Sequence, residues 1–184
     1  MTKEYSYDYP RPAMSADCVL FGFDGTDLKT LLIERGQEPF KGKWAFPGGF
    51  LNLDETTRQC ALRELREETG IDGVHLEQLG AYSGVNRDPR GRVVTVAYYA
   101  LVKMDELDPV AADDAAGVEW FSVKDIPPLA FDHDLVLRTA VGRLRFELFP
   151  GNMPRRMEKE FPGEELKKLL TVVNDLDFEQ YLPE

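Results

Sequence analysis

The spacing of apolar positions changes several times along the chain, and each change marks an element. Ala16–Phe23 and Lys29–Ile33 are strand-forming runs parted by the turn-forming cluster Asp24-Gly25-Thr26-Asp27, which predicts a hairpin. A Gly- and Pro-punctuated stretch follows from Gly36 to Gly49. From Asp54 to Thr69 the pattern becomes helical, with Ala61, Leu62 and Leu65 at i, i+1 and i+4, and Gly70 can take the left-handed position that ends a helix. Val74–Tyr82 and Val93–Val102 predict two strands joined through Asp88-Pro89-Arg90-Gly91, where Pro suits the second turn position and Gly the fourth. Val118–Ser122 predicts a further strand. Asp134–Phe146 predicts a second amphipathic helix with Leu137, Ala140, Val141 and Leu144 as its buried stripe. The order of strands, helix, strands, helix points to an α/β (α+β) class fold in which a mixed sheet lies between helices.

No repeat or low-complexity stretch interrupts the chain, so residues 1–149 read as one domain and 150–184 as a helical extension. Within the extension Glu164–Val173 sets Leu166, Leu169, Leu170 and Val173 on one stripe, which is expected to pack on the core or on a second subunit.

Charge and composition narrow the classes of partner. The 184 residues hold 22 Lys and Arg against 33 Asp and Glu, a net charge of −11, which disfavours nucleic acid and anionic membrane surfaces as partners. The two cysteines, Cys18 and Cys60, give no disulfide framework, and the apolar run Cys18–Phe23 is too short for a secretion signal or a membrane span. The expected location is cytoplasmic.

On the first helix Glu64, Glu67 and Glu68 stand at i, i+3 and i+4, which stacks three like charges on one face. Such a trio is either a solvated face or a site for a cation, and oxygen-only ligation suits a hard ion, Mg²⁺ or Mn²⁺. The neighbourhood favours the second reading. Gly49, five residues, Glu55, seven residues, Arg63-Glu64-Leu65, one residue, Glu67-Glu68, one residue and Gly70-Ile71 reproduce in full the signature of the Nudix hydrolases, the MutT-like pyrophosphatases. From average residue usage this pattern arises by chance on the order of once in 10⁸ such chains.

The resemblance implies the Nudix fold and a divalent-metal-dependent hydrolysis of a diphosphate linked to a nucleoside. It implies Glu64, Glu67 and Glu68 as metal ligands and catalytic residues, and a place behind those ligands, supporting them without touching the metal, for Glu55. Read from the residues, Gly49 lets its backbone carbonyl approach a metal closely, and Arg63 can hold a glutamate in one rotamer or pair with Glu67 along the helix. The general base varies across the family between a signature glutamate and a later acidic residue, here Asp113 or Asp114.

Outside the signature, Trp44-Ala45-Phe46-Pro47-Gly48-Gly49-Phe50, the Arg87–Val94 segment and Leu129-Ala130-Phe131-Asp132-His133 resemble a subgroup holding ADP-ribose pyrophosphatases and Nudix-related regulators of NAD metabolism genes. The leading expectation is hydrolysis of ADP-ribose to AMP and ribose 5-phosphate by a homodimer. The alternatives are a MutT-like nucleoside triphosphate pyrophosphatase and an ADP-ribose-sensing transcriptional regulator. From Arg145 to Glu184 there are six basic and nine acidic residues, a poor composition for a DNA-binding winged helix. Arg87, Arg90 and Arg92 form a local positive patch that is a candidate clamp for substrate phosphate or ribose. Phe50, Trp44 and Tyr82 are candidates to stack a base, against the alternative that they are core. For His133, capping by Asp132 or Asp134 is the expected explanation.

Overall fold

The computed structural model describes residues 7–111, 115–149 and 151–176. Its centre is a pair of long parallel strands, β1 (Ala13–Phe23) and β6 (Val93–Lys103), in register from Ala13 against Val93 to Phe23 against Lys103. The edge of β1 away from β6 is divided between two antiparallel neighbours. Its first half pairs with β4 (Gly48–Phe50), and its last three residues pair with β2 (Leu28–Arg35). β2 in turn pairs with β3 (Trp44–Ala45) and β7 (Ala115–Ser122), and β5 (Glu77–Tyr82) closes the far edge on β6. The result is a mixed seven-stranded sheet.

Strand alternation sorts the core into two layers. Odd residues of β1, Val19, Phe21 and Phe23, join the cluster under α2 (His133–Leu148), whereas Ala16, Cys18 and Leu20 join the cluster under α1 (Thr57–Thr69). Helix α3 (Arg155–Glu160) and helix α4 (Glu164–Asn174) follow α2 and cover the same face of the sheet as it does. Met157, Phe161, Leu169, Val173 and Leu176 are buried there, Phe161 meeting Phe23 edge-on at 6.3 Å. Burying a side chain of that size stabilises by roughly 1.5–3 kcal/mol.

Several boundaries differ from the expectation for local physical reasons. Helix α1 starts at Thr57 rather than Asp54, because Thr56 forms a capping box: its hydroxyl accepts the Gln59 N–H at 3.3 Å, and its own N–H meets Gln59 Oε1 at 2.8 Å. The helix ends as expected at Gly70, with φ of 73°. Strand β5 begins at Glu77 rather than Val74. Short strands β3 and β4 lie in the stretch whose glycines and proline hid them, their pairing being supplied by β2 and β1. The hairpin turn at Asp24 forms, its carboxylate accepting the N–H groups of Thr26 and Asp27.

Candidate active site

The site draws on the α1 face, the end of β2 at Arg35, the Phe46–Phe50 run that enters β4, the tip of the β5–β6 connection and the Phe131–His133 approach to α2. On α1 the helical spacing brings Glu64, Glu67 and Glu68 together, and Arg63 is the hub that holds the first two. Its Nε and Nη2 donate to both oxygens of Glu55 at 3.0 and 2.7 Å, while Nη1 donates to Glu64 at 2.7 Å and Glu67 at 2.9 Å. Nη2 also reaches the Phe50 carbonyl at 3.2 Å, tying the helix to the end of β4. The arginine beside it holds the Glu55 carboxyl well down, to about 2. Pairing along the helix and anchoring of Glu64 and Glu67 are therefore the same arrangement.

Glu68 behaves differently from its neighbours. It is buried, and it accepts the Gly48 N–H at 2.9 Å. Burial, reinforced by the nearby charges of Glu64 and Asp17, pushes its carboxyl up to about 8 despite that hydrogen bond. Burial also raises Glu64. A carboxylate in this position gains most from a cation.

The two glycines before the helix are required by contact. A Cβ on Gly49 would overlap the Glu64 carboxylate, and one on Gly48 would overlap Asp17 and the Ala16 carbonyl. The Gly49 carbonyl lies 3.6 Å from the Cys60 thiol, whose pKa burial pushes up to about 12, so that it stays a neutral donor.

Glu64, Glu68 and Gly49 border one cavity of about 250 Å³, together with Arg35 and Arg90. Among the described residues no three acidic, His or Cys side chains converge as a ready-made metal cage, since Glu64 and Glu67 both turn to Arg63. The donor set nevertheless fits a hard divalent cation: it is all oxygen, it lies on one helical face, and it contains a buried carboxylate that lacks an ion-pair partner among the described residues.

A second, smaller pocket of about 60 Å³ adjoins the first across Gly48, Gly49 and Phe50. Phe50 and Arg90 line both, with the Arg90 guanidinium 4.7 Å from the Phe50 ring and 5.5 Å from Phe131. Arg90 is also gripped by Asp88 through bonds of 2.7 and 3.0 Å. Arg87 lines the small pocket, but it is no exposed loop-tip charge: its side chain is 4% exposed and its guanidinium is bidentate to Asp132 at 2.7 and 3.0 Å. Arg92 donates to the carbonyls of Ser83 and Gly84 and lines neither pocket. Trp44 also lines neither; it packs edge-on against Phe121 at 4.6 Å. Tyr82 packs against the core beneath α2.

His133 departs from the capping expectation. Asp132 holds the N-cap position of α2 without a side-chain cap bond, its carboxylate being engaged by Arg87. His133 is buried, accepts the Phe46 N–H on Nδ1 at 3.0 Å and stacks on the Phe46 ring. Asp113 and Asp114 lie outside the described residues.

Arg35 and Phe131 are site residues that sequence reasoning missed. Arg35 lines both pockets, its guanidinium 4.9 Å from the Phe131 ring and its Nε bonded to the Pro39 carbonyl at 2.7 Å. The available signal was a lone arginine directly after the apolar Leu31-Leu32-Ile33 run and one acidic residue.

Comparison with known proteins agrees with this geometry. The chain is 41% identical over 130 residues to the ADP-ribose pyrophosphatase of Methanocaldococcus jannaschii, covering 71% of this chain and 73% of that one. It is 40% identical over 141 residues to the ADPR responsive transcriptional repressor NtrR of Acinetobacter baylyi, covering 74% of this chain but only 56% of the repressor. The NUDIX domain of Shewanella oneidensis NrtR, solved in complex with ADP ribose, superposes with a TM-score of 0.70 at 36% identity, over 75% of this chain and 94% of that one. Residues 11–140 match the family model described as the NUDIX domain, and since that stretch carries the whole glutamate face and both pockets, the chain belongs to the Nudix family.

Proposed function

We propose that this Nudix hydrolase splits ADP-ribose into AMP and ribose 5-phosphate, using Mg²⁺ or Mn²⁺ held by Glu64, Glu67, Glu68 and the Gly49 carbonyl. One observation carries the reading: a carboxylate-lined cavity shares its wall with guanidinium and aromatic groups, Arg35, Arg90 and Phe50. A diphosphate needs the first, and the sugar or base at its end is suited to the second. The similarity to an ADP-ribose pyrophosphatase supports the choice of substrate.

A divalent cation at the glutamates supplies neutralisation of the phosphate oxygens and activation of water. The chain's own residues do the rest. Arg63 restrains Glu64 and Glu67, and the Gly48 N–H restrains Glu68. Gly48 and Gly49, having no side chains, let the backbone pass against Glu64 and Glu68. Arg35 and Arg90 line the same cavity, where their guanidinium groups can bind the substrate's phosphate oxygens. Water adds to one phosphorus, the P–O bond to the bridging oxygen breaks, and that oxygen leaves on the other phosphate while a carboxylate takes the proton.

Turnover of ADP-ribose, NDP-sugars, dinucleoside polyphosphates and dNTPs, each with and without Mg²⁺ or Mn²⁺, tests the reading. ADP-ribose is expected to give the highest kcat/KM, with AMP as product; preference for an oxidised dGTP would replace it with the sanitising alternative. The similarity to the Acinetobacter repressor favours a second reading, a regulator that senses ADP-ribose. Binding of duplex DNA that ADP-ribose reverses, without turnover, would select it.

A further inference from the structure

The two arginines of segment 83–92 that border the small pocket are held in different ways. Arg90 is 43% exposed and stands at the junction of the two pockets. Arg87 is buried behind it, between Asp132 and Asp17, whose Oδ2 lies 3.8 Å away and accepts the Thr95 hydroxyl at 2.6 Å. Asp17 lies opposite Gly48 in the β1–β4 register, and Gly48 donates to Glu68. Arg87 thus joins the hairpin tip, the head of α2 and the strand that backs the glycines. One residue on, His133 fixes Phe46 through the same helix head.

Two acids on one buried arginine make a poor stabilising device. Desolvating such charges costs several kcal/mol each, and their attraction does little more than offset it. What the planar fork does supply is direction, because two parallel bonds to Asp132 leave the guanidinium one orientation.

We propose that Arg87 is a positioning residue: it anchors the hairpin so that its neighbour Asp88 holds Arg90 over Phe50 and Phe131, and substrate senses Arg87 only through Arg90. The proposal takes its substrate from the diphosphate reading, but the coupling between the two arginines stands independently of which diphosphate is cleaved.

A double-mutant cycle tests it, with kcat, KM, the Kd for AMP and Tm measured for the wild type, Arg87→Lys, Arg90→Ala and the pair. Arg87→Lys keeps the charge between the two aspartates but cannot bind both Asp132 oxygens in one plane. Each single variant should raise KM and Kd about tenfold with kcat within about threefold, and the pair should be no worse than Arg90→Ala alone. Effects that multiply would mean that Arg87 touches substrate itself, overturning the proposal. Unchanged KM and Kd, or a fall in kcat or Tm alone, would mark the pair as merely structural and overturn it too. A wild type inert on ADP-ribose refutes that substrate and leaves the cycle to be read on the AMP Kd.

Discussion

Arg63 and Arg87 each hold carboxylates around one guanidinium, yet the two clusters are built oppositely. Arg63 draws its carboxylates from within eight residues of itself, on one helix and its approach, and its side chain is 22% exposed. Arg87 draws Asp132 and Asp17 from 45 and 70 positions away and is sealed from water. A local cluster with surplus acid beside solvent can exchange its arginine for a cation. A sealed one with its charges fixed from three directions can only set geometry. The difference separates the groups that do chemistry from the groups that hold walls.

Charge removal without change of shape breaks the comparison at its most sensitive point. Glu67→Gln or Glu68→Gln should lower kcat on the order of 10³-fold, about 4 kcal/mol of barrier, while Tm barely moves. A variant that kept its turnover would remove the trio from the metal site.

Deleting the two arginines should then give opposite pictures in urea titrations. Arg87→Ala leaves the buried Asp17 and the half-buried Asp132 without their arginine and should cost about 3–5 kcal/mol of stability. Arg63→Ala, nearer water, should cost about 1–2 kcal/mol and show mainly as lost turnover. Equal stability losses would mean that burial does not distinguish the clusters.

The smallest effect concerns His133 and sharpens the sealed side. Burial holds its imidazole below the ordinary 6.5, so the unfolded chain takes up a proton where the folded one refuses it. Stability should therefore fall as pH is lowered from about 7.5 to about 5.5. In His133→Gln, whose amide oxygen can still accept the Phe46 N–H, that slope should flatten. Melting curves across the range that stayed parallel for the two proteins would show that His133 is not the group responsible.

The same contrast explains what could be read from the sequence. Arg63 and the glutamates were legible because helix periodicity turns spacing into proximity, and Gly49 and Glu55 through the resemblance to the Nudix signature, which spans 23 residues. So were both main helices and the long strands, whose apolar runs carry their own period. Apolar periodicity starts α1 three residues early, since the Thr56/Gln59 capping box and not the apolar pattern fixes its first turn. The bonds from Arg87 to Asp132 and from Phe46 to His133 span 45 and 87 residues, and no local pattern encodes them. Trp44 read as a stacking candidate since an aromatic beside a glycine loop looks the same whether it faces a cleft or, as here, Phe121.

The divided edge of β1 has a consequence for how this scaffold tolerates change. Between the residues that pair with β4 and those that pair with β2 the strand has a gap on that side, bridged by the Cys18 N–H to the Pro47 carbonyl. The small pocket takes its lining from both sides of that seam, Asp17 and Gly48 on one and Arg35 on the other, like a slit between two panels. Lengthening the loop at 36–43 leaves that seam in place. One residue added between Asp17 and Phe21 would shift one side of it by a pleat, turning Asp17 and its whole network to the opposite face.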